Sequence, residues 1–150
     1  MIAVIQRVGK SQVSIDGEVV GRVDKGLNVL LGVGHEDTAE DVQWLANKIV
    51  NMRIFGDEED KMNLSIKDVG GDILLISQFT LHASTKKGNR PSYIDAAKPD
   101  RAIPLYEQMK DTLEELLGRK VETGEFGADM QVEIMNDGPV TILVDTKNKR

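Results

Sequence analysis

Cysteine is absent from the 150 residues. Its absence excludes disulfides, thiolate nucleophiles and cysteine-held metal sites together, and suits a reducing, cytoplasmic setting. Imidazole is scarce as well, with His35 and His82 the only two histidines, so few side chains can serve as a general base near neutral pH. Aromatic residues make up 4%, which argues against an extended surface for stacking single-stranded nucleic acid. The 19 Lys and Arg are outnumbered by 25 Asp and Glu, and a net charge of -6 has the wrong sign for gripping a nucleic-acid backbone broadly. Long apolar runs are missing too. Met1-Ile2-Ala3-Val4-Ile5 meets Gln6 and Arg7 too soon for a secretory signal or a membrane span, and reads as a first strand.

A chain of this length forms one domain comfortably, 1–150, burying roughly two-thirds of the surface its unfolded form exposes. Its opening predicts short strands over Ala3 to Val8, Ser11 to Ile15, Val19 to Val23 and Leu27 to Val33, with turns at Asp16-Gly17 and Asp24-Lys25-Gly26. Val42, Leu45, Ile49 and Met52 then recur at helical spacing. Asp37 is the expected N-cap, with Glu40 closing a capping box and Gly56 following as a stop. Asp57-Glu58-Glu59-Asp60 lacks the glycine punctuation of a calcium loop and reads as a solvated turn, so no metal or cofactor is expected. A buried strand follows over Asp72 to Phe79. A second helix spans about Lys98 to Leu117, where Pro104 should kink it or delay its regular start. Strands return over Val121 to Phe126, Met130 to Met135 and Val140 to Asp145. Strands in runs at both ends, joined mostly by short loops, indicate an α+β class: an antiparallel or mixed, barrel-like sheet with two main helices packed outside.

Two stretches read as sites. Ser77-Gln78-Phe79-Thr80-Leu81 places hydroxyls and an amide at the end of an apolar run, as a buried strand does when it delivers polar groups to a pocket. Asn136-Asp137-Gly138-Pro139-Val140-Thr141 interrupts a strand pair with a Gly-Pro step, and an X-Pro bond is where a cis peptide costs least. Taken alone, the first is also an ordinary strand end and the second a hairpin turn. Thr80 is a nucleophile on paper, but a neutral hydroxyl needs a base. His82, two positions on, would sit beside Thr80 on a continuing strand rather than in relay with it, and in a loop it reads as a surface residue. Neither a Ser/His/Asp triad nor a glycine-flanked nucleophile elbow is legible. Lys86-Lys87-Gly88-Asn89-Arg90 is a basic loop near the first motif, and Lys147-Asn148-Lys149-Arg150 a basic tail. If RNA binds, Lys86, Lys87 and Arg90 neutralise few phosphates, giving modest affinity that falls with salt.

The two motifs resemble the signatures of the D-aminoacyl-tRNA deacylases. Ile5-Gln6-Arg7-Val8, Lys61-Met62-Asn63-Leu64-Ser65, Gly88-Asn89-Arg90-Pro91-Ser92-Tyr93 and Gly124-Glu125-Phe126-Gly127-Ala128-Asp129-Met130 match as well, in family order and at family spacing. Tyr93 stands where the family pattern suggests Phe, and Ser84 where an acidic residue is more usual. The resemblance implies a cytoplasmic hydrolase that frees D-amino acids, and mischarged glycine, from the 3' acceptor end of tRNA. It implies catalysis at Ser77, Gln78, Phe79 and Thr80: backbone N–H groups around Phe79 and Thr80 polarise the ester carbonyl, and the ribose 2'-hydroxyl assists water. Gly138 and Pro139 would select chirality, their carbonyls holding the substrate ammonium while an L side chain is excluded. Phe126 and Met130 would line the pocket, or serve only core packing, and Arg7 would support the Gly-Pro turn. A homodimer is also implied, with each Gly-Pro loop entering its partner's pocket and no membrane involved.

Two other classes of answer compete. A non-catalytic nucleic-acid-binding module would use the basic loop and tail, and the acidic balance with few aromatics speaks against it. A Thr80-dependent hydrolase of small esters is disfavoured by the missing base.

Overall fold

Ile2–Ile15 forms one continuous strand, β1, where composition suggests two. Its halves stay joined because β8 (Gln131–Asp145) runs antiparallel along both, from Ile2 opposite Asp145 to Ser14 opposite Gln131. On its other edge β1 pairs with β3 (Gly26–Gly32) and then with β2 (Glu18–Val23). Irregular register around Val8 bends the strand instead of ending it. The computed structural model describes residues 1–150.

The centre of the sheet is parallel: β6 (Asp72–Ser77) lies beside β3, and β7 (Glu122–Thr123) beside β6. This mixed six-stranded sheet curls until β2 approaches β7. A Cβ on Gly21 would stand 2.6 Å from the Thr123 carbonyl oxygen, so this near-closure needs glycine. Val8, Val13, Val23, Leu74 and Ile76 fill the interior of the curl. Outside it, α1 (Ala39–Asn51) and α3 (Pro99–Leu117) pack on each other and on the sheet through the larger core, which includes Val29, Leu31, Leu45, Ile49, Met109 and Leu113. The architecture is therefore α+β, a barrel-like mixed sheet with its two main helices outside. Pro104 lies within α3, which runs through it, forgoing only the bond a donor there would make to the Asp100 carbonyl. No helix is long and apolar enough to cross a membrane.

Several local expectations shift. The N-cap of α1 is Thr38, and its capping box closes on Asp41, whose Oδ2 accepts from Thr38 N at 2.9 Å. Asp37 is committed elsewhere: it is 1% exposed, with Oδ1 2.7 Å from the Met1 ammonium and Oδ2 accepting from Gly34 N at 2.6 Å. The same ammonium donates to Thr146 Oγ1 at 2.9 Å, so the start and end of the sheet meet at one buried point. Gly56 does not stop α1; it lies in β4 (Phe55–Gly56), which pairs with β5 (Met62–Leu64) around the Asp57–Asp60 turn. In that turn Asp57 Oδ1 accepts from Glu59 N and Lys61 N, so the carboxylate organises backbone. A one-turn helix, α2 (Ile66–Val69), capped by Ser65 and Asp68, was not foreseen.

Burial pushes the Asp41 carboxyl up, but hydrogen bonds from Thr146, Thr38 and Lys147 outweigh it and hold the pKa at about 2 against an ordinary 3.8. A depressed folded-state pKa contributes stability that is complete above about pH 4 and lost as pH falls toward 2. Asp41→Asn should therefore flatten the acid limb of stability between about pH 4 and 2, by on the order of 1–2 kcal/mol. Denaturant melts at pH 2.5 and 6 check it; an unchanged difference between the two pH values defeats the assignment.

Candidate active site

Ile73 to Ile76 are buried on both faces of the sheet and deliver the chain to Ser77, where β6 ends. The strand does not continue to Phe79. Gln78 donates its N–H to the Leu31 carbonyl at 2.7 Å, then turns (φ -146°, ψ 80°) into a 3-10 turn over Phe79–His82. Within the turn, Leu81 N donates to Gln78 O at 3.2 Å and Ala83 N to Thr80 O at 3.0 Å. The first donors of such a turn have no acceptor inside it, which leaves the N–H groups of Phe79 and Thr80 available.

A cavity of about 250 Å³ opens beside this turn. Ser77, Gln78 and Phe79 form one wall, Phe126 and Met130 another, with Leu31, Val33 and Tyr106 beneath. Tyr106 donates its hydroxyl to the Leu75 carbonyl at 2.9 Å and meets the Phe126 ring edge-on at 5.9 Å. Burial raises its phenol to about 12, so it stays a neutral wall. Its helical spacing in α3 marks it as core, and nothing in the sequence distinguishes a core tyrosine from one lining a cavity. Phe79 is 54% exposed and packs edge-on against Tyr93 at 5.1 Å.

Thr80 borders Gln78 rather than a base. Its Oγ1 accepts from Gln78 Nε2 at 2.5 Å, and an amide donor cannot take a proton. His82 is half-buried, not on the surface as expected; its ring sits in the space left by Gly32 and Gly34, where an added Cβ would come within 3.0 and 3.2 Å of it. Its Nε2 is buried without a partner. His35 bonds the Ile94 carbonyl through Nε2 at 2.5 Å. Lys86, Lys87 and Arg90 lie exposed on a loop closed by reciprocal Ser84–Ser92 backbone bonds of 2.8 Å, outside the cavity but next in sequence to Tyr93 and so to Phe79.

The Gly-Pro segment is neither a hairpin turn nor part of this cavity. β8 continues through it, with Thr141 opposite Gln6 and Asn136 opposite Val8, so the four residues Asp137 to Val140 lie opposite Arg7 alone, Asp137 to Pro139 exposed and Val140 packed against the core. The Gly138-Pro139 peptide is cis, and Gly138 has φ +124°. Arg7 lies beneath: Nε donates to the Asp137 carbonyl at 3.1 Å, and Nη1 to the Ile54 carbonyl at 2.7 Å. Asn136 to Pro139 are exposed. The fold thus gathers Ser77, Gln78, Phe79, Phe126 and Met130 at one cavity, joins Thr80 to it through Gln78, and sets Arg7, Gly138 and Pro139 apart.

Main-chain donors beside an apolar cavity, with Thr80 Oγ1 bonded to an amide rather than to a base, suit a hydrolytic site that polarises a carbonyl instead of attacking it with a side chain. Comparison with known proteins supplies the family. The family model described as D-Tyr-tRNA(Tyr) deacylase matches residues 4–145. The chain belongs to that family, and so to a family of hydrolases. It is 58% identical to a D-aminoacyl-tRNA deacylase of Flavobacterium johnsoniae and 60% identical to one of Bacteroides fragilis, each over 149 residues and 99% of both chains. A solved structure described as c-Myc DNA Unwinding Element Binding Protein superposes with TM-score 0.93 at 38% identity, covering 97% of this chain and 99% of that one. Another, described as a probable eukaryotic D-amino acid tRNA deacylase, gives TM-score 0.81 at 16% identity over 95% and 97%, a likeness of fold.

Proposed function

We propose that this protein hydrolyses the ester of D-aminoacyl-tRNA, releasing the free D-amino acid and tRNA. The observation that carries the reading is the placing of Ser77, Gln78 and Phe79 at the mouth of a cavity walled by Phe126 and Met130, in a chain whose family match spans residues 4–145. The N–H groups of Phe79 and Thr80 hold the developing oxyanion, each donor contributing about 3 kcal/mol. The ribose 2'-hydroxyl positions the attacking water. Ser77, Gln78 and Thr80 hold the turn and shape the pocket.

Chiral selection falls to Gly138 and Pro139 acting on a second copy of the chain. Their segment is exposed and lies off its own cavity, which supports a homodimer in which each segment enters the partner's pocket. Their carbonyls accept from the substrate ammonium, and Arg7 braces the segment from beneath. Lys86, Lys87 and Arg90 meet phosphates near the acceptor end, so affinity falls with salt. The whole process takes place in the cytoplasm, within one catalytic domain, without a cofactor.

Matched D- and L-aminoacyl-tRNA, glycyl-tRNA and free small esters, each incubated with the protein, test this reading. Release from the D and glycyl substrates alone supports it. Cleavage of all esters points to a general esterase, and binding without release to a nucleic-acid module. Thr80→Ala should retain hydrolysis within about tenfold of the parent, because its hydroxyl faces an amide rather than a base. A thousandfold loss with the fold intact would instead indicate covalent catalysis.

A further inference from the structure

Trp44 is the chain's single tryptophan and lies half-buried on the outer side of α1. Lys149 Nζ stands 4.5 Å and Lys48 Nζ 5.4 Å from its ring centroid. A groove of about 270 Å³ runs here between α1 and residues 142–145 of β8, bordered by Trp44, Lys48, Met52, Lys149 and Arg150. Lys48, Lys149 and Arg150 are absent from the ion pairs of the structure, whereas the neighbouring Lys147 is paired with Asp41 at 3.1 Å. The one acidic side chain on the groove, Asp145, accepts from Lys147 N at 2.9 Å. In a protein of net charge -6, three cations outside any ion pair, two of them over the only indole, form a local field of the opposite sign. An aromatic face with flanking cations is what a nucleobase and its phosphates require.

The groove lies at the same end of the sheet as the catalytic turn. Asp145 pairs with Ile2, Ile2 with Gly32, and the adjoining Leu31 with Ser77, so β8 and the turn are three strand spacings apart. At about 4.8 Å per spacing that is roughly 14 Å. A strand stacked at about 3.4 Å per nucleotide covers the distance with roughly four bases.

We infer that Trp44, Lys48 and Lys149 form a stacking platform for the unpaired nucleotides preceding the terminal adenosine of an RNA whose aminoacyl end occupies the catalytic cavity. The two lysines, which lie over the indole in the free protein, swing off it to meet the phosphates together with Arg150, and Trp44 takes a base on the face they uncover. The inference rests on the tRNA reading for its substrate but on different residues. It adds RNA affinity without touching the reacting ester.

Because Trp44 is the only indole, tryptophan fluorescence reports this site alone. Uncharged tRNA, and the same RNA lacking its unpaired 3' nucleotides, are titrated into the full-length protein, so hydrolysis plays no part. Saturable quenching by the intact RNA, abolished by trimming and weakened by salt, is the expected result. Trp44→Ala and the double variant Lys48→Ala/Lys149→Ala should each raise KM for D-aminoacyl-tRNA by about tenfold at unchanged kcat, and leave hydrolysis of a D-aminoacyl-adenosine ester untouched. Losing two phosphate contacts should lower the slope of log KM against log salt by about 1.4. Unaltered fluorescence, equal quenching by trimmed RNA, or equal damage toward the minimal ester overturns the platform. So does a change in oligomeric mass in either variant, which would make the groove a protein interface.

Discussion

Gly138→Ala should lower kcat/KM for D-aminoacyl-tRNA by about 100-fold or more while leaving the melting temperature within a few degrees of the parent. The residue holds φ +124°, and a Cβ would meet Arg7 Nη2 at 2.9 Å and Val140 Cγ2 at 3.0 Å. Both the backbone conformation and the space therefore demand glycine. Asp137 to Pro139 are exposed and stand clear of the β1–β8 ladder, so the segment relieves the clash by moving, not by unfolding the sheet. A displacement of about 1 Å in a group that positions substrate costs on the order of 100-fold. Thermal melting beside kinetics on the D substrate decides it: near-parental kcat/KM removes Gly138 from the site, and a large drop in melting temperature makes its role structural.

Asp37→Ala should destabilise the fold by about 3–5 kcal/mol, the scale for removing one partner of a buried ion pair. The Met1 ammonium would be left with Thr146 Oγ1 alone, at a point where both Met1 and Asp37 are 1% exposed, and Gly34 N would lose its acceptor. For a chain of this size that lowers the melting temperature by roughly 10 °C. Asp37→Asn, which keeps an acceptor oxygen but no charge, should fall between the two. Urea denaturation measures the difference, and a loss below 1 kcal/mol for the alanine variant would mean the ammonium finds water instead.

Those two residues also mark where the sequence was legible and where it was not. Alternating and 3.6-residue periodicities carried the class, both main helices and most strand positions, because apolar spacing is set by burial itself. Boundaries failed where a tertiary partner decided them. Asp37 has the right side chain for a cap one residue too early, and the buried ammonium claims it. Gly9-Lys10 looks like a break in β1, and β8 bridges it. Phe79 continues an apolar run, yet the Gln78 bond to Leu31 ends the strand before it. Ser77, Gln78, Phe79, Phe126 and Met130 could be singled out because they lie in contiguous stretches that carry the family resemblance, and the fold sets them around one cavity. Tyr106 was missed because lining a cavity leaves no local trace, and His82 was misplaced because its niche is made by glycines some 50 positions earlier.

The pairing of β1 with β8 sets an order of events during synthesis. An N-terminal meander of β1, β2 and β3 has all its partners nearby in sequence and forms early. The outer edge of β1, however, waits for the last strand, about 130 residues later. Until residues 131–145 have been made, a 14-residue strand presents open main-chain donors and acceptors to any neighbouring polypeptide. Nascent chains crowded on one message are therefore most vulnerable to mispairing along β1, and the docking of β8 is the moment at which that vulnerability ends.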